Sequence, residues 1–228
     1  MGIPFLVLRL EGPLQSWGER SRWDARDSAL MPTKSGVVGL LGCAMGYSSD
    51  ETKKLSDLGK ALLYAVRADN PGRLMVDYQT VQAQQGYLLS ADGKPRSSGN
   101  TIVSRRQYLE GASFTVLFTG DTILLEQCGD ALQNPKWPIY LGRKSCVPTR
   151  PVYMHMCNYE SFEEALSNIP VSTYYRQLTN ASPRLLCEIE SLEGMQTRRD
   201  SFTGVGNARL FDQRRIHVCT VEVNDVSK

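Results

Sequence analysis

Three short segments of this 228-residue chain combine glycine with hydroxyl or cationic side chains, the residue types that bind phosphate. The first, Gly12-Pro13-Leu14-Gln15-Ser16-Trp17-Gly18, follows the apolar run Phe5-Leu6-Val7-Leu8-Arg9-Leu10. The second, Pro32-Thr33-Lys34-Ser35-Gly36, opens a helical pattern. There the free amides of a helix N-terminus, the hydroxyls of Thr33 and Ser35 and the ammonium of Lys34 could hold an anion, since that end of the helix dipole otherwise favours an acidic residue. An ordinary N-cap beside a solvated lysine fits the same residues. The segment is not a nucleotide-binding P-loop, because Thr33 stands where the glycine before the lysine is required and Ser28 where the upstream glycine is.

The third segment is Tyr140-Leu141-Gly142-Arg143-Lys144-Ser145-Cys146. Backbone amides can approach a phosphate at Gly142, while Arg143 offers a planar fork, Lys144 a point charge and Ser145 a hydroxyl. Arg105-Arg106 with Tyr108 offers two phosphate grips and a stacking ring. Each of these also fits a solvated loop or strand end. Trp17 could stack on a base or plug the edge of a core. His155 and His217 are the only imidazoles, and both sit in apolar or alternating runs that suit structural roles. No acidic cluster has metal-ligand spacing, and the sequence offers no persuasive catalytic set; no cofactor or metal is expected.

Composition narrows the class. A hydrophobic content of 41% supports a globular core, and a net charge of +2 argues against a general, histone-like nucleic-acid binder. The six cysteines form no Cys-x-x-Cys pair and read as reduced, buried thiols. The first apolar run is too short for a signal peptide and no stretch spans a bilayer, so a cytoplasmic location and no membrane contact are expected. Basic residues gather at 136–150 and 198–215 and acidic ones at 160–193, a segregation that suits a polyanion on one face.

The elements that must position these groups follow from periodicity. The opening apolar run predicts a strand over Ile3 to Leu10. At about 100° per residue Gly36, Gly39, Gly42 and Gly46 form one stripe, and a buried helix with such a stripe predicts close packing against a sheet. An amphipathic helix is expected over Asp50 to Leu62, capped by Ser49 or Asp50, then strands at Leu63 to Ala68 and Leu74 to Tyr78. A long polar stretch, centred on an Ala91-Asp92-Gly93-Lys94 turn, reads as a projecting hairpin or partly mobile arm. Next come a strand at 113–118, a helix over Thr122 to Gln133 and a strand around Ile139 to Leu141. This is the split βαβ order of an α+β, ferredoxin-like domain over residues 1–152 with an inserted arm at about 78–108. Residues 153–228 read as a small β-rich C-terminal subdomain.

Taken together, the Gly12 to Gly18 string, Pro32-Thr33-Lys34-Ser35-Gly36 with Gly39-Leu40-Leu41-Gly42, Asp77-Tyr78-Gln79-Thr80-Val81 and Tyr140 to Cys146 resemble the family-five CRISPR-associated (RAMP) subunit of type I-E Cascade surveillance complexes, in order over about the first 155 residues. The resemblance implies an RRM-related, ferredoxin-like domain whose arm is a β-hairpin thumb. It also implies a non-catalytic subunit in antiviral defence that holds the 5′ handle of the CRISPR RNA (crRNA) and contacts the first backbone subunit and the large subunit, meeting target DNA only through the complex. Carried onto this sequence, the handle contacts are Gln15, Ser16, Trp17, Lys34, Ser35, Arg105, Arg106, Tyr108, Gly142, Arg143, Lys144 and Ser145. A metal-independent endoribonuclease that matures the precursor RNA, using His155 or a tyrosine with Lys144, is the alternative. A pure protein-interaction module is disfavoured by the basic glycine loops.

Overall fold

The fold is organised by β1 (Ile3–Glu11), whose residues Phe5 through Leu10 are buried without interruption because both faces of the strand are covered. The computed structural model describes residues 2–19, 25–48, 50–82, 88, 94, 101–172, 184–203 and 210–223. After β1 come β2 (Leu14–Gln15), β3 (Ala25–Arg26), α1 (Lys34–Met45), α2 (Thr52–Ala61) and β4 (Leu63–Asn70). A hairpin of β5 (Arg73–Gln82) and β6 (Thr101–Glu110) precedes β7 (Ser113–Thr119), α3 (Thr122–Gln133) and β8 (Tyr153–Tyr159). The chain continues through α4 (Phe162–Asn168), β9 (Arg184–Glu190), β10 (Gln196–Phe202) and β11 (Phe211–Glu222).

Seven strands form one antiparallel sheet in the order β10-β11-β9-β4-β7-β1-β8. Leu6, Leu8 and Leu10 of β1, with Tyr64, Val66, Phe114, Val116 and Phe118, pack beneath α1 and α3. Phe5, Val7, Ala65, Leu117, Cys187 and Ile189 face the opposite side, where Ala165 and Leu166 of α4 cover them. Arg67 anchors that helix from within the sheet. Fully buried, it donates to the Leu166 carbonyl, to the Ile169 carbonyl at 2.8 Å and to Asp69 at 2.6 Å. A cation thereby meets the carbonyl end of α4.

A second sheet holds the hairpin. β5 and β6 pair from Arg73↔Glu110 to Gln82↔Thr101, and the other edge of β6 receives β2 antiparallel and β3 parallel. The turn expected at Ala91 to Lys94 lies, but for Lys94, outside the described residues.

Several expectations need correction. The strand after α3 is β8 rather than Ile139 to Leu141, which is irregular between Pro138 and Gly142; β8 supplies a seven-residue partner for β1. β8 to β11 make no sheet of their own among the described residues: β8 pairs with β1, and β9 pairs with β4, so residues on both sides of position 152 share one sheet. α2 begins after Glu51, which makes no side-chain cap and instead accepts hydrogen bonds from the Ser48 amide and hydroxyl. The glycine stripe of α1 does not lie on sheet backbone. A methyl group at Gly36 would come within 2.9 Å of the Trp17 ring, one at Gly42 within 2.7 Å of Leu55 Cδ1, and one at Gly39 would meet nothing within 4 Å. The residues α1 buries are chiefly its apolar ones, Val37, Val38, Leu40, Leu41 and Ala44.

Candidate nucleic-acid interface

The three glycine segments converge. Trp17 of the first packs on Gly36 of the second, and Ser16 of the first packs on Gly142 of the third, where φ is +92° and any side chain would overlap the Ser16 carbonyl oxygen. Gly12 admits the Val147 carbonyl, 2.8 Å from where a Cβ would stand. The Ser16 amide donates to the Leu141 carbonyl at 3.1 Å, and Leu141 in turn donates to Cys146 at 2.7 Å, closing the 141–146 loop. Glycine is required here because two backbones touch. The close approach is chain to chain.

This contact grips the base of the hairpin at Gln107. Its carbonyl accepts from Ser16 Oγ at 3.2 Å and from Arg143 Nη1 at 2.9 Å, while its side-chain oxygen accepts from the Ser28 amide. Arg143 Nη2 reaches the Arg26 carbonyl at 3.0 Å, and the guanidinium lies 4.6 Å from the centre of the Tyr108 ring. Arg143 thus ties the 141–146 loop, β3 and β6 together.

Several expected RNA ligands are consumed in this packing. Gln15, fully buried, donates to the carbonyls of Leu10 and Ala112 and accepts from the Trp17 indole. Trp17 is 1% exposed and Tyr108 3%, so neither ring is open to stack on a base. Ser16 is buried as well. The expected anion does dock at the start of α1, but the protein supplies it: the Lys34 amide donates to Asp200 Oδ2 at 2.8 Å. The Lys34 ammonium, 4% exposed as a residue, donates to both Glu190 oxygens at 2.8 and 3.0 Å. Burial lowers the pKa of Lys34 and Glu190 partly restores it. Ser35 is half-buried beside it.

The C-terminal arginines are likewise engaged. Arg214 forms a two-point pair with Asp200 and lies over Tyr64, whose hydroxyl donates to the Pro32 carbonyl. Arg198 bridges Glu188 and Glu19 at 2.9 Å each, and burial raises the Glu188 pKa. Charges that the sequence segregates are brought opposite one another by the β9, β10 and β11 ladder, so Arg198 and Arg214 are not part of a free basic track.

What stays at the surface is a smaller set around the hairpin base. Arg105, Lys144 and Ser145 are exposed, Gly142 is exposed, and Arg106 is half-buried with Nε donating to Ser104. Two further residues join them. Arg26, exposed, pairs in register with Arg106, and Tyr78, 61% exposed, stands directly across from Arg105. Successive strand residues face opposite sides, so Arg105 shares a face with Tyr78 while Arg106 shares one with Tyr108 and Arg143. The Asp77-Tyr78 motif was legible in the sequence, but its outward face was not, because both faces of β5 mix apolar and polar residues. The parallel pairing that brings Arg26 to β6 is non-local and leaves no local signal.

Among the described residues no group of three or more His, Cys, Asp or Glu is placed to hold a metal ion. His155 on β8 and His217 on β11 are exposed and separated by four strands of the sheet, so they cannot act as a pair. Cys128, Cys146 and Cys187 are buried, Cys43, Cys157 and Cys219 half-buried, and all six are free thiols.

The family model for CRISPR-associated protein (Cas_Cas5) matches residues 5–224. The chain belongs to this family. Its match runs from β1 through β11, so the C-terminal strands that the sequence motifs left unassigned are also part of the Cas5 pattern. An Escherichia coli (strain K12) protein, CRISPR system Cascade subunit CasD, is 35% identical over 175 residues, covering 72% of this Cas5 chain and 76% of the relative. A chain in a solved CRISPR RNA-guided surveillance complex superposes with a TM-score of 0.78 at 29% identity, covering 96% of this chain and 90% of that one. A chain solved as a Cas protein gives 0.71 at 36% identity, covering 96% and 95%. No helix among the described residues is long and apolar enough to cross a membrane.

Proposed function

We propose that this Cas5 chain is a non-catalytic, RNA-binding subunit of a type I-E Cascade complex in the cytoplasm. It holds the 5′ handle of the crRNA, caps the row of backbone subunits and contacts the large subunit, and it meets target DNA only through the assembly. The likeness to E. coli CasD and to a chain of an RNA-guided complex supports the setting. In this reading β8-β1-β7-β4, a 4-1-3-2 order when numbered along the chain, is the ferredoxin-like unit, and the β5–β6 hairpin is the thumb.

The observation that carries the RNA assignment is the exposed set Arg26, Arg105, Lys144 and Ser145 around a hairpin base locked by glycine contacts. Exposed cations on a rigid support can each neutralise a phosphate without reading sequence. Arg143, Lys34, Gln15, Trp17 and Tyr108 act one step back, holding the support in place. Incubation of the chain with labelled repeat RNA in chelator tests the reading. Binding that leaves the RNA intact, unchanged in His155→Ala, is expected; specific cleavage that disappears in that variant would replace the scaffold with an endoribonuclease.

A further inference from the structure

On the α4 side of the main sheet one end of the strands is left bare. Ile3 of β1 and Leu63 of β4 point to that side and are 44% and 50% exposed, although Phe5, Val7, Ala65, Leu117, Cys187 and Ile189 on the same face are buried. Phe162 closes over Phe5 with ring centres 5.1 Å apart, and beyond it the floor continues through Ile189 into an open cleft of about 810 Å³. That volume suits several apolar side chains of a guest. The walls differ in character from the floor. Glu160 and Glu163 stand on the α4 side, Glu190 and Glu193 on the β9–β10 side with the exposed His217, and among the described residues no lysine or arginine lines the cleft. Glu190 is already paired with Lys34, which leaves Glu160, Glu163 and Glu193 as exposed carboxylates around a greasy floor.

We infer that this cleft is a docking site for a basic, apolar protein segment: lysines or arginines around one or two Leu- or Phe-class side chains, contributed by a neighbouring subunit. The argument is charge complementarity over an apolar face. The acidic rim repels RNA and DNA, so the cleft is the protein-facing counterpart of the basic hairpin base. The floor supplies the burial that an exposed Ile3 and Leu63 lack in the isolated chain. The source of the segment rests on the proposed membership of a Cascade-type assembly.

The test uses the assembly obtained by co-expressing this chain with the other Cascade subunits and guide RNA. Carboxylates are labelled with a carbodiimide and glycine ethyl ester in the free chain and in the complex, and read by mass spectrometry. Glu160, Glu163 and Glu193 should react in the free chain and be protected in the complex. The same three as Glu→Lys should weaken retention of the neighbouring subunit by roughly tenfold or more, since each exposed pair is worth only a fraction of that. Leu63→Ser should weaken retention too. RNA affinity and circular dichroism should match wild type in both variants. Equal labelling in both states, or full retention of the triple variant, overturns the docking site while leaving the proposed function standing. Protection by guide RNA alone overturns the protein occupant. A wild-type chain that enters no complex overturns the proposed function and this inference with it.

Discussion

The salt dependence of RNA binding separates the exposed cations from the buried ones. For a single-stranded RNA each neutralised phosphate contributes about 0.7 to the slope of log affinity against log salt. Arg26→Ala, Arg105→Ala and Lys144→Ala should therefore each flatten the slope by about 0.7, and all three together by about 2. The triple variant would bind about fifty-fold more weakly near 0.15 M salt, with the difference closing towards 1 M. Lys34→Ala should leave the slope unchanged, because its ammonium is spent on Glu190 and its amide on Asp200. Its effect should be on stability: the side chain is 5% exposed and its partner 16%, and stranding that carboxylate costs about 3 kcal/mol. Handle-RNA affinity at four or more salt concentrations on the assembled complex, with urea unfolding of the free chain, reads both outcomes. A flattened slope for Lys34→Ala in an intact assembly would return the α1 N-terminus to the RNA interface. An unchanged slope for the triple variant would refute the hairpin-base assignment.

Gly142→Ala should destabilise by about 3 kcal/mol in urea unfolding, since a left-handed residue with a side chain is strained and the Ser16 carbonyl blocks the methyl; a loss below about 1 kcal/mol would count against that close contact. In α1, Gly39→Ala should stabilise by about 0.5–1 kcal/mol because its site is open, whereas Gly36→Ala should destabilise by about 1–2 kcal/mol against the Trp17 ring and the Thr33 cap; shifts of the same sign would contradict the packing. Alkaline pH should weaken the fold. Burial holds the Cys128 and Cys157 thiols up at about 11 and Cys187 at about 12, against 9.0 for a free thiol. With folded pKa values above the unfolded ones, their contribution is complete below pH 9 and is lost as pH rises from there towards 11. The buried Tyr64 adds to the loss above pH 10. The lowered Lys34 opposes it below its ordinary value of 10.5, as a single group against four. A urea midpoint that does not fall between pH 8 and pH 10.5 would refute this balance.

Much of this protein was determined locally. The continuous apolar run of β1 identifies a strand covered on both faces, and α3 begins and ends where its pattern begins and ends, with Asp121 capping Leu124. The three glycine segments together with Asp77 to Val81 suffice to mark the family, and at Gly12 and Gly142, where two backbones touch, glycine cannot be exchanged freely. Tertiary structure decided what those glycines touch. A sequence shows that Gly142 needs a near neighbour but not that the neighbour is Ser16 rather than a phosphate, since both present oxygen atoms to the same amides. The fate of each charge was non-local in the same way. Lys34 meets Glu190 and Arg214 meets Asp200 only after β9, β10 and β11 pair, so these cations are neutralised in the interior while Arg199 and Arg215 of the 198–215 basic stretch stay exposed. Of the exposed remainder, Arg26, Tyr78 and Arg105 are selected by strand register, which alternates faces at every residue and is fixed by partners distant in the chain, while Lys144 stands on the turn of the 141–146 loop.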